Sequence, residues 1–341
     1  MSELLKRYTG VFKSGNDVEA GHAEAVFDAL ISEDDEGVLE EFLRAWSTKG
    51  TSDDELFRFA SIMRERCVPI RSRHSVFVDV VGTGGSKSKM FNISTASAFV
   101  IAGAGVPVAK HGNRAATSNS GSADVLSELG VEPAVGPAAA ERCLNRIGIC
   151  FMFAPMFHKL SPVLAKVRRG LHFPTVFNNL GPLCNPAKAP RKVIGVWDEA
   201  LIEKTARALA RLGTERSWVV RGADGLDELT ITGRSSVCEV TAGEIRSFEI
   251  TPEDFGAVTD PQPGLECPTP KASAALIRSI LDGSCTSRAA IEVVKINAAA
   301  AIFVAGKANT LREAFVLATE SVETGSALAK LDRLAAETKK I

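Results

Sequence analysis

The 341-residue sequence has no surplus of either charge: 40 Lys and Arg stand against 41 Asp and Glu, for a formal net charge of −1. A chain so balanced carries no polycationic footprint for a phosphate backbone and no block of like charge, which argues against nucleic acid as a partner. Long apolar runs are missing too. The longest uncharged apolar runs, residues 98–109 (with glycines and a proline) and 298–305, fall well short of the roughly 20 residues a membrane helix needs, so no span is expected. The N-terminal segment contains acids and polar breaks where a secretion signal would need an unbroken apolar stretch, and the expected compartment is the cytoplasm. Cysteine is present seven times, but scattered and without a CxxC pair. An odd, dispersed set does not make a disulfide framework, and the thiols read as buried or idle.

With 45% apolar and 24% charged residues, the chain is long enough for one large globular unit or two domains. Residues 1–70 read as helix throughout. Ser52 and Glu55 form a capping box before the helically spaced Leu56, Phe59, Ala60 and Met63, and Gly50 closes the preceding helix. Further helices are expected at 20–31 and 37–48, each too short to be stable unless packed on something. From Val76 the character changes: the β-branched and aromatic run 76–81 predicts a buried strand ending in Gly82-Thr83-Gly84-Gly85. A helix at 94–104, a stop at Gly105 and a strand at 106–109 complete a βαβ unit, which implies a parallel sheet. Strands at 147–153, 192–197 and 217–220, a helix at 200–212 and a hairpin around Thr241-Ala242-Gly243 extend an α/β body. The Ala-rich C-terminal third predicts helices at 274–281, 287–306 and 311–329. Residues 157–169 are helical by pattern, and Gly181-Pro182 and Asn185-Pro186 predict breaks after them, in what reads as a return excursion into the helical domain.

Four segments carry chemistry. The glycine loop lies at the carboxyl end of a strand, where open α/β sheets bind ligands and backbone N–H groups approach an anion. It matches neither GxGxxG nor GxxxxGK[ST], so dehydrogenase and P-loop readings have no support; alone, it is equally a tight turn. Asn92, Ser94 and Thr95 open the next helix and offer a second anion site at its positive end, with Ser94 or Asn92 also available as the N-cap. Lys110-His111-Gly112-Asn113-Arg114 follows the second strand and brings two cations and an imidazole to the same sheet edge, with Gly121-Ser122 adding a backbone and a hydroxyl donor. Asp227 and Glu228, after the strand at 217–220, form an exposed acidic turn or, beside a diphosphate, a Mg²⁺ site.

In this order the segments VDVVGTGG, FNISTASAF, VAKHGNR, SGSADVL, FAPMFH, VRRGL, NNLGPLCNP, IGVW, DGLDELTITG, ITPEDFG and INAAAA resemble the anthranilate phosphoribosyltransferase family over nearly the whole chain. The resemblance implies a nucleoside-phosphorylase-like phosphoribosyltransferase fold of class α/β, with a mostly parallel central sheet. It divides the chain into a small helical domain, 1–72, joined by a return segment at about 160–190, and a larger α/β domain, 73–159 and 191–341. It also implies a homodimer formed through the helical domain. The implied substrates are 5-phosphoribosyl-1-diphosphate (PRPP) and anthranilate, and the cofactor is Mg²⁺. Gly82, Thr83, Gly84, Gly85, Asn92, Ser94, Thr95, Lys110 and Ser122 match PRPP positions. Gly82, His111, Asn113 and Arg168 match anthranilate positions, with Arg168 favoured over its neighbour Arg169; Ser94, Asp227 and Glu228 match metal positions.

Two departures stand out. The family commonly has an acid after GTGG, where this chain has Ser86-Lys87-Ser88-Lys89, and Asn179 stands where an apolar residue is usual. The implied reaction is displacement of pyrophosphate at ribose C1 by a weakly basic aromatic amine, which needs neither a covalent nucleophile nor a general base. A pyrimidine nucleoside phosphorylase of the same fold is the enzymatic alternative, and a nucleic-acid-binding relative the non-enzymatic one.

Overall fold

Four helices open the chain: α1 (Ser2–Lys13), α2 (Ala23–Ser32), α3 (Glu36–Lys49) and α4 (Asp53–Arg66). A computed structural model describes residues 2–84, 90–114, 120–261 and 264–340. The Ser52–Glu55 capping box starts α4, and Gly50, at φ +81°, ends α3. The helices hold together through Phe12, Phe42, Trp46 and Phe59, whose neighbouring rings lie 4.8 to 5.6 Å apart between centroids. Offset and edge-on aromatic pairs of this kind add to the burial of their large apolar area.

The sheet has seven strands in the order β3-β2-β1-β4-β5-β6-β7. Strands β1 (Val78–Gly82), β2 (Val108–Gly112), β3 (Ile149–Phe153), β4 (Arg191–Gly195) and β5 (Arg216–Gly222) run parallel. The hairpin β6 (Ser235–Thr241) and β7 (Glu244–Ile250) adds an antiparallel edge. Between these strands come α5 (Ile93–Gly103), α6 (Ser122–Glu128), α7 (Pro137–Ile147), α8 (Ala154–Phe157), α9 (Pro162–Gly170), α10 (Val176–Leu183) and α11 (Ala200–Arg211). After them come α12 (Pro252–Phe255), α13 (Pro270–Leu281), α14 (Arg288–Val304), α15 (Leu311–Glu323) and α16 (Ser326–Thr338). This is the α/β fold with a mostly parallel sheet that the alternation of elements predicts.

Each face of the sheet has its own core. On one, α5 and α14 are buried on nearly all sides and pack on each other, with α15 and α16 outside them. On the other, Ile194, Val196, Val219, Cys238 and Val240 meet α11 and the N-terminal helices. Helices α9 and α10 pack on α3 and α4 and share that second core.

Several boundaries differ from the sequence expectation. Strand β2 runs two or three residues past Ala109, because Lys110 and His111 are buried sheet residues with partners rather than a solvated loop. The segment 311–329 splits into α15 and α16 at Gly325, whose φ of +72° ends a helix. The helical pattern at 157–169 is interrupted, because Ser161 caps α9 and Pro162 takes its first position, leaving His158 between helices. Pro182 lies within the last turn of α10, so the break comes after Leu183. The seven cysteines are free, and all but Cys285 are buried.

Asn179 lies on the buried side of α10 shared with Val176 and Leu183, and its Oδ1 has no hydrogen-bond partner. An unsatisfied buried carbonyl costs about 1–3 kcal/mol. Asn179→Leu is therefore expected to raise the denaturant midpoint of unfolding with no change in slope; a lower midpoint would show that the amide is needed.

Candidate active site

Gly84, Lys110 and Asp227, distant in sequence, line one cavity of about 400 Å³. It lies where the carboxyl ends of β1 and β2 and the loop after β5 face α9 and α10, with Met63 of α4 also in its wall.

Two glycines set the approach of the acidic loop. A Cβ on Gly82 would lie 2.5 Å from Asp227 Oδ2, and one on Gly195 would lie 1.6 Å from the Asp227 carbonyl oxygen. Only residues without side chains let that loop cross the ends of β1 and β4. Asp227 then accepts the Gly84 N–H at 3.0 Å. The neighbouring Thr83 is tied down by its N–H to Gly195 O at 2.9 Å and by its hydroxyl, which accepts from Trp197 N at 3.3 Å. Upstream, Asp224 accepts from the hydroxyls of Thr230 and Thr232 and from Leu226 N. Downstream, Asn297 of the INAAAA segment pairs with both the N–H and the carbonyl of Leu229. The acidic pair is thus clamped on both sides.

The start of α5 serves this pair. Asn92 occupies the N-cap but makes no side-chain cap bond; its Oδ1 accepts from Thr95 and its Nδ2 donates to Ser120 O. Ser94, in the first turn, hydrogen-bonds Glu228 through both its N–H and its hydroxyl. It also accepts from Lys110 Nζ at 3.3 Å. Lys110 Nζ donates to Val80 O at 2.6 Å as well.

Burial dominates the electrostatics here. It pushes Glu228 up to about 8, helped by repulsion from Asp227 and opposed by Lys110. It raises Asp227. It lowers Lys110 despite the attraction of Asp79 and Glu228. What exposure the two acids retain is toward the cavity.

Close by, His111 Nδ1 lies 3.1 Å from Gly181 O, a pure acceptor, so Nδ1 carries the hydrogen and Nε2 a lone pair. The His158 ring centroid lies 5.1 Å from that of His111. Among the described residues, the Nε2 atoms of both are buried without a partner. Burial keeps both rings neutral, holding His158 at about 4. Arg168 also lines the cavity. Its guanidinium lies 4.5 Å from the Phe177 ring, its Nε is unpartnered, and among the described residues it has no ion pair. Burial lowers it to about 10, which leaves it cationic at neutral pH.

Of the sequence-derived positions, Gly82, Thr83, Gly84, Asn92, Ser94, Lys110, His111, Asn113, Ser122, Arg168, Asp227 and Glu228 share this cavity. Thr95 is fully buried behind it. Gly85 and the departure at 86–89 lie outside the described residues. Arg169 is exposed and outside the cavity wall, whereas Arg168 lines it. Lys110, His111 and Arg114 all line the cavity; Arg114 pairs with Asp124 at 3.0 Å, and His111 is neutral. His158, Asn178 and the buried Asp79 escaped the residue-level reading, because a lone histidine, amide or strand carboxylate carries no local signature; only their segments gave a hint.

A cavity joining a glycine loop, an acidic pair and a buried lysine at a parallel sheet edge defines a group-transfer enzyme acting on a phosphorylated substrate. The family model for "Glycosyl transferase family, a/b domain" matches residues 74–328. Anthranilate phosphoribosyltransferase of Moorella thermoacetica is 46% identical over 318 residues, 93% of each chain. That of Clostridium kluyveri is 41% identical over 322 residues, 94% of this chain and 96% of its own. Among solved structures, the Thermus thermophilus enzyme superposes with TM-score 0.87 at 37% identity, covering 97% of this chain and 99% of its own. The Saccharomyces cerevisiae enzyme in complex with PRPP and Mg does so with TM-score 0.87 at 25% identity, covering 99% of both. The chain belongs to the anthranilate phosphoribosyltransferase family.

The raised acid has a measurable consequence in metal-free protein. Glu228 holds its proton more tightly when folded, so its contribution favours the fold at low pH and is lost as pH rises from about 4.5 through about 8. Glu228→Gln, neutral throughout, is expected to raise the melting temperature relative to wild type at pH 8.5 in EDTA, with the gain vanishing near pH 4.5. An equal gain at both pH values would refute this reading.

Proposed function

We propose that this chain transfers the phosphoribosyl group of PRPP to the amine of anthranilate, releasing pyrophosphate, in tryptophan biosynthesis. The observation that carries the reading is that one cavity contains both a candidate diphosphate-and-metal set and a half-buried arginine with no carboxylate partner among the described residues. Gly82, Thr83 and Gly84 with Asn92, Ser94, Lys110 and Ser122 would hold PRPP. Arg168, His111, Asn113 and Gly82 would receive anthranilate, a planar guanidinium matching a carboxylate. Gly85 belongs to the same proposed set by sequence.

Asp227 and Glu228 with the Ser94 hydroxyl would hold Mg²⁺. The donor set suits it: hard oxygens, two mutually repelling carboxylates, and too few protein ligands for a closed cage, as expected of an ion shared with substrate phosphates. When bound, Mg²⁺ supplies positive charge against the departing pyrophosphate. The chain's own groups do the rest. Arg168 and the Nε2 lone pairs of His111 and His158 orient the acceptor amine, Lys110 and loop N–H groups meet developing negative charge, and the apolar walls exclude water. As the C1–O bond to pyrophosphate breaks, the amine N–C1 bond forms and the amine then releases a proton.

The same reading carries a domain division at 1–72 plus about 160–190 against 73–159 plus 191–341, a homodimer through the helical part, and residence in the cytoplasm. The packing of α9 on α3 and of α10 on α3 and α4 supports grouping the return segment with residues 1–72. No described helix is long and apolar enough to cross a membrane.

The test is loss of anthranilate fluorescence with protein, Mg²⁺ and PRPP; absence of turnover at saturation would remove the assignment. Arg168→Ala is expected to raise the anthranilate KM by ~10- to 100-fold, as loss of a charged hydrogen bond implies, and to leave the PRPP KM within a few-fold. An unchanged anthranilate KM would displace Arg168 from the acceptor site. In the ligand-free chain Asp227 occupies the Gly84 N–H, so Asp227→Asn should bind metal-free pyrophosphate more tightly than wild type does, while losing Mg²⁺ dependence. Calorimetry decides, and weaker metal-free binding would contradict the assigned role.

A further inference from the structure

Helix α10 touches most of the proposed acceptor pocket. Its Phe177 ring lies 4.5 Å from the Arg168 guanidinium, and its Gly181 carbonyl fixes the His111 ring at 3.1 Å. In its first turn, Asn178 turns the other way and lines the cavity. Its Oδ1 accepts the Thr175 N–H at 3.0 Å. Because that partner only donates, the amide orientation is determined, and Nδ2 donates to Thr83 O at 3.3 Å.

The Thr83 carbonyl and the Gly84 N–H belong to one peptide unit. That unit is planar and rigid, so its two ends move together. One end is held by Asn178 of α10. The other faces the anion side, where the Asp227 carboxylate occupies it. Gly84 sits at φ +63°, a conformation that leaves the plane's orientation to its partners rather than to side-chain sterics. An anion on the N–H also makes the carbonyl of the same unit a stronger acceptor, since hydrogen bonds in series polarise one another.

We infer that Asn178 is a positioning residue that couples the two substrate half-sites through the Thr83–Gly84 peptide. A diphosphate on the glycine loop orients that peptide. Asn178 passes the orientation to α10, and α10 sets Phe177 against Arg168 and Gly181 against His111. Anthranilate then binds more tightly to the diphosphate-loaded protein than to the free one. The identities of the two ligands rest on the proposed function; the coupling rests on the peptide geometry.

The experiment titrates anthranilate by its own fluorescence, with and without saturating Mg²⁺ and pyrophosphate, a donor-site occupant that cannot react. Wild type, Asn178→Ala and Asn178→Asp are compared, each checked by thermal unfolding. Wild type should bind anthranilate at least ~5-fold more tightly when pyrophosphate is present, a coupling of ordinary allosteric size. Asn178→Ala should reduce that enhancement below ~2-fold, with anthranilate affinity in the absence of pyrophosphate nearly unchanged. Asn178→Asp keeps the bond to Thr175 but sets a carboxylate against the Thr83 carbonyl; it should abolish or invert the enhancement, and it carries the test should the alanine variant not fold. A full enhancement in a folded variant overturns the coupling, as does its absence in a wild type that binds both ligands. A wild type that binds no anthranilate under either condition overturns the proposed function, and the coupling with it.

Discussion

The carboxylate of Asp79 is the constraint around which the cavity is organised. It is fully buried in the middle of the sheet, and its partners come from three directions. One oxygen accepts the backbone N–H of His111 from β2 at 3.1 Å. The other accepts the Asn185 amide at 2.7 Å and lies 3.7 Å from Lys192 Nζ on β4. Asn185 also donates to Ala109 O, and Lys192 to Pro182 O at 3.5 Å. A buried carboxylate of this kind holds neighbouring strands in register and ties the end of α10 to the sheet. Burial lowers Lys192 to about 8, opposed by attraction to Asp79. Such a pair adds little net stability, but losing one partner strands the other at a cost of about 3–5 kcal/mol. Its value lies in geometry, because Lys110, His111 and α10 all take their positions from strands and loops that this group joins.

A second polar cluster, at the cavity wall, balances in another way. Lys110, Ser94 and Glu228 form a connected polar cluster beside Asp227. The cost of desolvation is visible as a lysine lowered and two acids raised, in spite of their mutual attraction. Groups held this way do not need to reorganise when charge appears on a substrate, which is what makes preorganised electrostatics effective in a shielded site. The proposed acceptor side differs: among the described residues, one side-chain nitrogen each of His111, His158 and Arg168 is buried without a partner, and the three lie together on one cavity wall.

The βαβ core was legible in the sequence because hydrophobic period, glycine stops and capping residues agree locally: Val78 to Val81, Gly105 and Ser52 each say what they do. Glycine loop, basic segment and acidic pair were legible as chemistry at sheet edges. What could not be read was charge that had been buried. Lys110 and His111 look like a solvated loop, yet they continue β2, since Val80 O and Asp79 supply the partners that water would otherwise provide. Gly325 passed as one more helical residue because its left-handed conformation has no sequence signature in an Ala-rich stretch. Asp79 itself reads as an interruption in an apolar strand. Its meaning comes from residues 106 and 113 positions later, Asn185 and Lys192.

The glycines at 82 and 195 complete this logic from the steric side. Neither has a positive φ, so neither is needed for backbone freedom. They are needed because the acidic loop crosses the strand ends so closely that any Cβ would collide with Asp227. The closeness brings a carboxylate within reach of the Gly84 N–H, and through the same peptide brings α10 within reach of the anion site. Two missing side chains thus place the Asp227 carboxylate, the Gly84 N–H and helix α10 in a single chain of contacts. A bulkier residue at either position would separate the acid from the loop before it affected the fold of the sheet itself.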